Sequence, residues 1–274
     1  MYKKAPRVLR ERESRFESLG VGLPGVDVVR SDMTREGAGV PRAVLFDMDD
    51  TIFDHSLTCR DALAEVRRTY PAFRGRPLDR LWDEYDRLLG ITHTDVMLGR
   101  RTSEEVRAER FRSLAEWAGQ PILPTTAAEV SRFYRRHYQR LRRAVPGAVA
   151  AVRRWHDRAR VVVVTNNTVQ EQVEKIAFLG LEAAVDLLVT SEEVGVAKPD
   201  PRIFRTALER AGVAPTESVM VGDSWSSDIE GALSADLRAV WFNRFREIPP
   251  RPAPVPEFRS FRAPRQLDRL VARA

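Results

Sequence analysis

The chain has 274 residues, 43% hydrophobic and 31% charged, the balance of a soluble globular protein with room for one large domain or two modest ones. No apolar run approaches the ~20 residues needed to span a bilayer, and the basic start "MYKKAPRVLRERESRF" lacks the apolar core of a secretory signal. Cys59 is the only cysteine, which excludes a disulfide framework and a thiolate metal site and makes the cytoplasm the expected address.

The formal charge of +6 raises nucleic acid as a partner, but all except four of the 45 cationic side chains are arginine, scattered along the whole chain. With no Cys/His finger and no RNP-like aromatic segment, this is a general preference for Arg over Lys and argues against a nucleic-acid face. Anionic small molecules fit better, because Arg pairs readily with phosphate.

In chain order, residues 1–40 read as an N-terminal extension, Gly/Pro-rich at "LGVGLPGVD", with room for a short basic helix at 7–19. From residue 43 apolar runs of strand length recur: "AVLFD" (43–47), "RVVVVT" (160–165), "DLLVT" (186–190), "SVMVGD" (218–223) and "RAVWF" (238–242). Amphipathic helical stripes lie between the later ones: Val149, Val152 and Trp155; Val173, Ile176 and Ala177; Ile203, Phe204, Ala207, Leu208 and Ala211. Continuous apolar strands alternating with helices predict an α/β protein whose parallel sheet is covered on both faces. Right-handed crossovers then bring all the strand C-termini to one edge.

Between the first two strands, residues 56–144 carry no strand signal. Leu78, Leu81, Trp82, Tyr85, Leu88 and Leu89 share one helical face, and Val130, Phe133, Tyr134, His137, Tyr138 and Leu141 another. Thr102…Glu105 and Thr126…Glu129 both match the capping box. About four helices are expected here, as an α-helical subdomain inserted directly after an acidic loop. "VPG" at 145–147 marks the return, so residues 41–55 and 145–274 make the core.

That loop, "FDMDDT", follows a buried strand with Asp47, Asp49 and Asp50. Residues two apart on an extended strand share a face, so Asp47 and Asp49 are expected to point together. Crowded carboxylates ionise only with a cation among them, and hard Mg²⁺ suits oxygen donors. "VMVGDSWSSD" offers a third carboxylate, Asp223, at another strand end, with Asp228 about one helical turn on. A cation beside carboxylates suggests phosphoryl chemistry, which needs anion holders. Thr165 and Asn166 end a strand before a helix, although a plain helix cap would look the same. Lys198 precedes Pro199, which disfavours helix at the lysine, and a lysine kept in so Arg-rich a chain hints at the need for a compact charge.

The four segments "DMDDT", "VVVVTN", "KPDP.IF" and "GDS…D", in this order over about residues 43–242, resemble the haloacid dehalogenase superfamily. The resemblance implies a Rossmann-like core with a five-stranded parallel sheet and a mobile helical cap between motifs one and two. It implies a Mg²⁺-dependent phosphatase acting on a small phosphorylated metabolite. Asp47 would be the nucleophile that becomes an aspartyl phosphate, and Asp49 the acid and base. Thr165, Asn166 and Lys198 would hold the substrate phosphoryl group. The metal would be bound by Asp47, the Asp49 main-chain carbonyl and Asp223, with Asp228 and Thr51 in support.

Asp49 carries a carboxylate where relatives that cleave carbon–halogen bonds lack one, which favours phosphate esters over 2-haloacids. A phosphomutase of the same superfamily is the nearer alternative. A receiver module would need an acceptor Asp on a third strand about fifty residues after the acidic pair, an interval that is helical here. "AVWFN" with "FDMDDTIFD" looks similar to the branch of pyrimidine nucleotidases and sialic-acid phosphate phosphatases. Asp236 stands where relatives often have Gly. Substrate identity and oligomeric state are not legible.

Overall fold

A computed structural model describes residues 40–97, 100–250 and 254–273, so the expected helix at 7–19 lies outside the described residues. The five apolar runs form parallel strands: β1 (Ala43–Phe46), β2 (Arg160–Thr165), β3 (Leu187–Thr190), β4 (Ser218–Gly222) and β5 (Arg238–Phe242). A sixth, β6 (Glu257–Phe258), pairs with β5, giving one sheet in the order β3-β2-β1-β4-β5-β6. The five-stranded expectation is corrected by this two-residue strand, too short to leave a periodicity. It is held by Trp241 N–H on Pro256 O at 2.8 Å and Asn243 N–H on Phe258 O at 2.9 Å. Phe242, Phe258 and Phe261 lock it from the side with ring centroids 4.5–4.9 Å apart.

The chain divides into two compact units. One comprises residues up to Ile52 and from Ala144 onward and holds the sheet; the other is Phe53–Arg143. In the sheet unit β1 and β4 are buried along their whole length, as strands covered on both faces must be. Ala43, Leu45, Val162, Val164, Val189 and Met220 form one inner face. Ile203, Phe204, Ala207 and Leu208 pack there from the helix Pro201–Ala211, which Asp200 caps and Gly212 ends in the left-handed conformation. The other helices of the sheet unit include Ala148–His156, Val169–Phe178 and the C-terminal Pro264–Arg273, the last buried through Leu267 and Val271. Phe46, the last residue of β1, stands level with Val163 and Val221, and the flanking strands run slightly further, β2 to Thr165 and β4 to Gly222.

The second unit is helical: α1 (His55–Thr69), the single turn α2 (Pro71–Arg74), α3 (Leu78–Met97), α4 (Ser103–Trp117) and α5 (Pro124–Leu141). Its centre is aromatic, with Phe73, Tyr85, Phe111 and Tyr134 in mutual contact and the buried Arg110 donating to Tyr85 Oη at 3.0 Å. Thr102 makes the expected capping box on α4. Thr126 does not, because Pro124, whose fixed φ suits the first helical position, starts α5 two residues earlier. No helix among the described residues is long and apolar enough to cross a membrane.

Candidate active site

Asp47 is the first residue past β1, held by its N–H on Val221 O at 3.0 Å. Asp223 follows β4, and Asp228 sits in the π-helical turn Trp225–Glu230 behind it. One carboxylate oxygen from each of these three lies within 4.8 Å of the other two. Gly222 makes the approach sterically feasible: a Cβ there would fall 2.3 Å from Asp228 Oδ2. Thr51, fully buried, donates to Asp223 Oδ1 at 2.9 Å, and Ser224 N–H donates to Asp228 Oδ2 at 3.0 Å. Trp241 Nε1 fixes the same loop through Asp223 O at 2.8 Å.

Lys198 enters this group from below. Its ammonium donates to Asp47 Oδ1 at 2.5 Å, Asp228 Oδ1 at 2.6 Å and Val164 O at 2.9 Å. The side chain is 2% exposed, so it is an interior cation rather than one thrown out from a loop. Asn166 secures it by a reciprocal pair, Nδ2 to Lys198 O at 2.9 Å and Lys198 N–H to Oδ1 at 2.7 Å. The Asn166 side chain, expected on the substrate, therefore orients the lysine. Thr165 ends β2 and is buried, and the following helix is capped by Thr168, not by Thr165 or Asn166.

Asp49 departs from expectation. β1 ends at Phe46, and the Asp49 carboxylate lies outside the group formed by Asp47, Asp223 and Asp228, turned to a different set of donors. Its Oδ1 accepts from Lys175 Nζ at 2.6 Å, and its Oδ2 from Gln172 Nε2 at 3.0 Å and Asn167 Nδ2 at 3.3 Å. Asn167 continues the strand-end segment expected to hold an anion, whereas Lys175 and Gln172 are not among the residues the sequence singles out. The signal was present for Lys175, which is as conspicuous a lysine among arginines as Lys198. In the helical unit, Cys59 Sγ lies 3.4 Å from His55 Nε2, one helical turn before it. Trp225 packs edge-on against Trp241 with centroids 4.9 Å apart.

The electrostatics follow from one ammonium beside two buried carboxylates, Asp47 and Asp228, and a partly buried third, Asp223. Burial pushes the Asp47 carboxyl up to about 7; Lys198 opposes this, while Asp228 and Asp49 add to the rise. Asp223 is likewise held well above the usual carboxylate range, by burial first and then by Asp47, Asp228 and Asp50, against the Thr51 bond. Burial alone would lower Lys198, but Asp228 and Asp47 outweigh it and hold the ammonium above its ordinary value. Carboxylates this reluctant to ionise want more positive charge than Lys198 supplies. The all-oxygen donor set fits a hard divalent cation.

A parallel sheet carrying such a cluster at its strand tips, at the edge where open α/β sheets bind their ligands, is the architecture of an α/β hydrolytic enzyme. The family model for haloacid dehalogenase-like hydrolases matches residues 41–236, and the chain belongs to that family. It is 31% identical over 213 residues to the pyrimidine 5'-nucleotidase YjjG of Escherichia coli, covering 77% of this chain and 90% of that one. It is 38% identical over 214 residues to the phosphoserine phosphatase of Thermus thermophilus, covering 75% and 82%. Human N-acylneuraminate-9-phosphatase matches at 38% over 100 residues, 36% of this chain and 40% of that one. Among solved structures, magnesium-bound YfnB of Bacillus subtilis shares the fold with a TM-score of 0.67 at 24% identity, over 84% of this chain and 99% of that one.

Proposed function

We propose that the chain is a Mg²⁺-dependent phosphoric monoester hydrolase that acts on a small phosphorylated metabolite through an aspartyl phosphate at Asp47. The observation that carries this is the position of Lys198, in contact with both Asp47 and Asp228 inside a three-carboxylate group. Phosphatase relatives, and a magnesium-bound structure of the same fold, support the reaction class and the metal.

Asp47, Asp223 and the Asp49 main-chain carbonyl would hold the ion, with Asp228 and Thr51 orienting them. When bound, Mg²⁺ supplies charge compensation for phosphoryl oxygens and for the buried carboxylates. Asp47, ionised, attacks phosphorus and the ester oxygen departs, taking a proton from Asp49. Water then attacks the same phosphorus and gives its proton back to Asp49, so the Asp47–phosphorus bond breaks and inorganic phosphate leaves. Lys198, together with Thr165, offsets the charge of the transferring group. Residues 56–144 are proposed as the cap, on the ground of their insertion directly after the acidic loop.

The carboxylate at Asp49 favours phosphate esters over haloacids, since only the ester mechanism uses it. The test is phosphate release from a panel of sugar, nucleotide and sugar-acid phosphates under Mg²⁺ titration. Wild-type turnover that depends on Mg²⁺, and its loss by 10² or more in Asp47→Asn with unchanged folding, is the expected result. An Asp47→Asn protein that keeps most of its activity overturns the nucleophile.

A further inference from the structure

Lys175 has no part in the mechanism above, and its environment is unusual. It sits on the helix Val169–Phe178 with 1% of its surface exposed, and Gln172, one turn earlier, is fully buried. Both reach the same acceptor: the Asp49 carboxylate takes Lys175 Nζ on one oxygen, and the Gln172 and Asn167 amides on the other. Burying an ammonium is costly unless it is paired, so the site selects for a carboxylate held in one orientation. It also selects for lysine: Lys175 and Lys198 are the two lysines among the described residues of a chain with otherwise only arginine cations there. Both touch aspartates of the same acidic loop. A slim stem with a compact charge reaches where a planar guanidinium would leave donors unpaired.

We propose that Lys175 is a positioning residue for Asp49: it fixes the carboxylate at the point from which Asp49 takes the proton of the attacking water. The proposal rests on the proton-carrying role given to Asp49 above. Gln172 and Asn167 then set the rotation of the carboxylate about its axis. In the second half-reaction the water–phosphorus bond forms, the Asp47–phosphorus bond breaks, and the water's proton moves to an Asp49 oxygen. Displacing that oxygen by about 1 Å is enough to slow such a step on the order of 10²-fold.

The experiment is transient kinetics on the Mg²⁺-loaded full chain with 4-nitrophenyl phosphate, whose leaving group departs without a proton. Lys175→Met keeps the attack by Asp47 and slows the release of the phosphoryl group. The expected record is a burst of one equivalent of 4-nitrophenolate, then a kcat lowered about 10- to 100-fold. KM falls in proportion, so kcat/KM is nearly unchanged, a split that general damage to the fold does not produce. Lys175→Met placed on Asp49→Asn should cost nothing further, since the first residue acts only through the second. Urea denaturation of the metal-free protein gives an activity-independent readout: Lys175→Met lowers the midpoint with Asp49 present and much less with Asn in its place. Should the single variant not fold, Gln172→Met is read by the same split, with a smaller loss. Wild-type kcat in Lys175→Met, equal losses in kcat and kcat/KM, or additivity with Asp49→Asn overturns the proposal. A wild-type protein that releases no phenolate under Mg²⁺ overturns the underlying phosphatase reading instead, and the two failures are told apart by that control.

Discussion

Two buried lysine–aspartate contacts serve one loop, and they are built to opposite ends. On one side Lys175 donates to one oxygen of Asp49, whose other oxygen accepts from the Gln172 and Asn167 amides. On the other side Lys198 bridges Asp47 and Asp228 while Asp223 stands in the same group. There negative charge exceeds positive, and the carboxyls of Asp47 and Asp223 are driven upward. The first contact orients a carboxylate, whereas the second leaves carboxylates short of positive charge, and the difference shows how a chain can use the same two residue types to opposite effect.

The comparison is broken most severely at Lys198. Lys198→Met removes the ammonium shared by two buried carboxylates, and a loss of about 3–5 kcal/mol in urea denaturation of the metal-free protein is expected. Activity should fall 10² or more alongside it.

The excess of negative charge should next appear as a pH dependence of the metal-free protein. A carboxyl at about 7 when folded and 3.8 when unfolded binds more protons in the folded state between those values. Stability contributed by that proton is therefore present at low pH and is lost as pH rises from about 4 through 7. Asp223, raised in the same sense, adds to the slope. Mg²⁺ should flatten it, with affinity that weakens as pH falls, since the ligands must first lose their protons. Thermal melts across pH with and without Mg²⁺ check both signs.

Smaller is Gly222→Ala, whose methyl would collide with Asp228. A destabilisation of about 1–3 kcal/mol is expected, with weaker Mg²⁺ binding measured by calorimetry. The smallest effect sharpens the comparison from the other side. Gln172→Met removes one neutral donor from Asp49 while the ion pair stays, and about 1 kcal/mol of stability should go with it.

The sheet was legible because its strands are buried on both faces: four or five consecutive β-branched and apolar residues, repeated with helical stripes between, admit few other arrangements. Asp47 and Asp223 were legible because each follows a strand end, where parallel topology fixes the edge before any side chain is considered, whereas Lys198, beyond β3 and the helix Ser191–Val194, stood out only as a lysine before proline in an Arg-rich chain. The direction of Asp49 was not legible, since β1 ends at Phe46 and strand alternation is no guide to where a side chain past that point is directed. Asp236, read as a departure at a glycine position, adopts φ 62°, the conformation a glycine would take. The contacts of Lys175 and Gln172 were hidden because a charged residue on a helix is ordinarily read as its solvent face. β6 follows a Pro-rich stretch and is placed by contacts distant in sequence, which no local pattern reports, whereas the helix Pro264–Arg273 is announced by Pro264 and the spacing of Leu267, Leu270 and Val271.

One hydrogen bond of the sheet unit bears on how freely the inserted unit can vary in length. Val145 N–H reaches Ile52 O at 2.8 Å, so the chain leaves the unit and rejoins it at neighbouring points. Closing so short a gap costs the scaffold only about 0.6 kcal/mol more for each doubling of the intervening excursion, because closure entropy grows with the logarithm of length. The excursion can thus be lengthened or shortened at modest cost while the strands of the sheet unit keep their order.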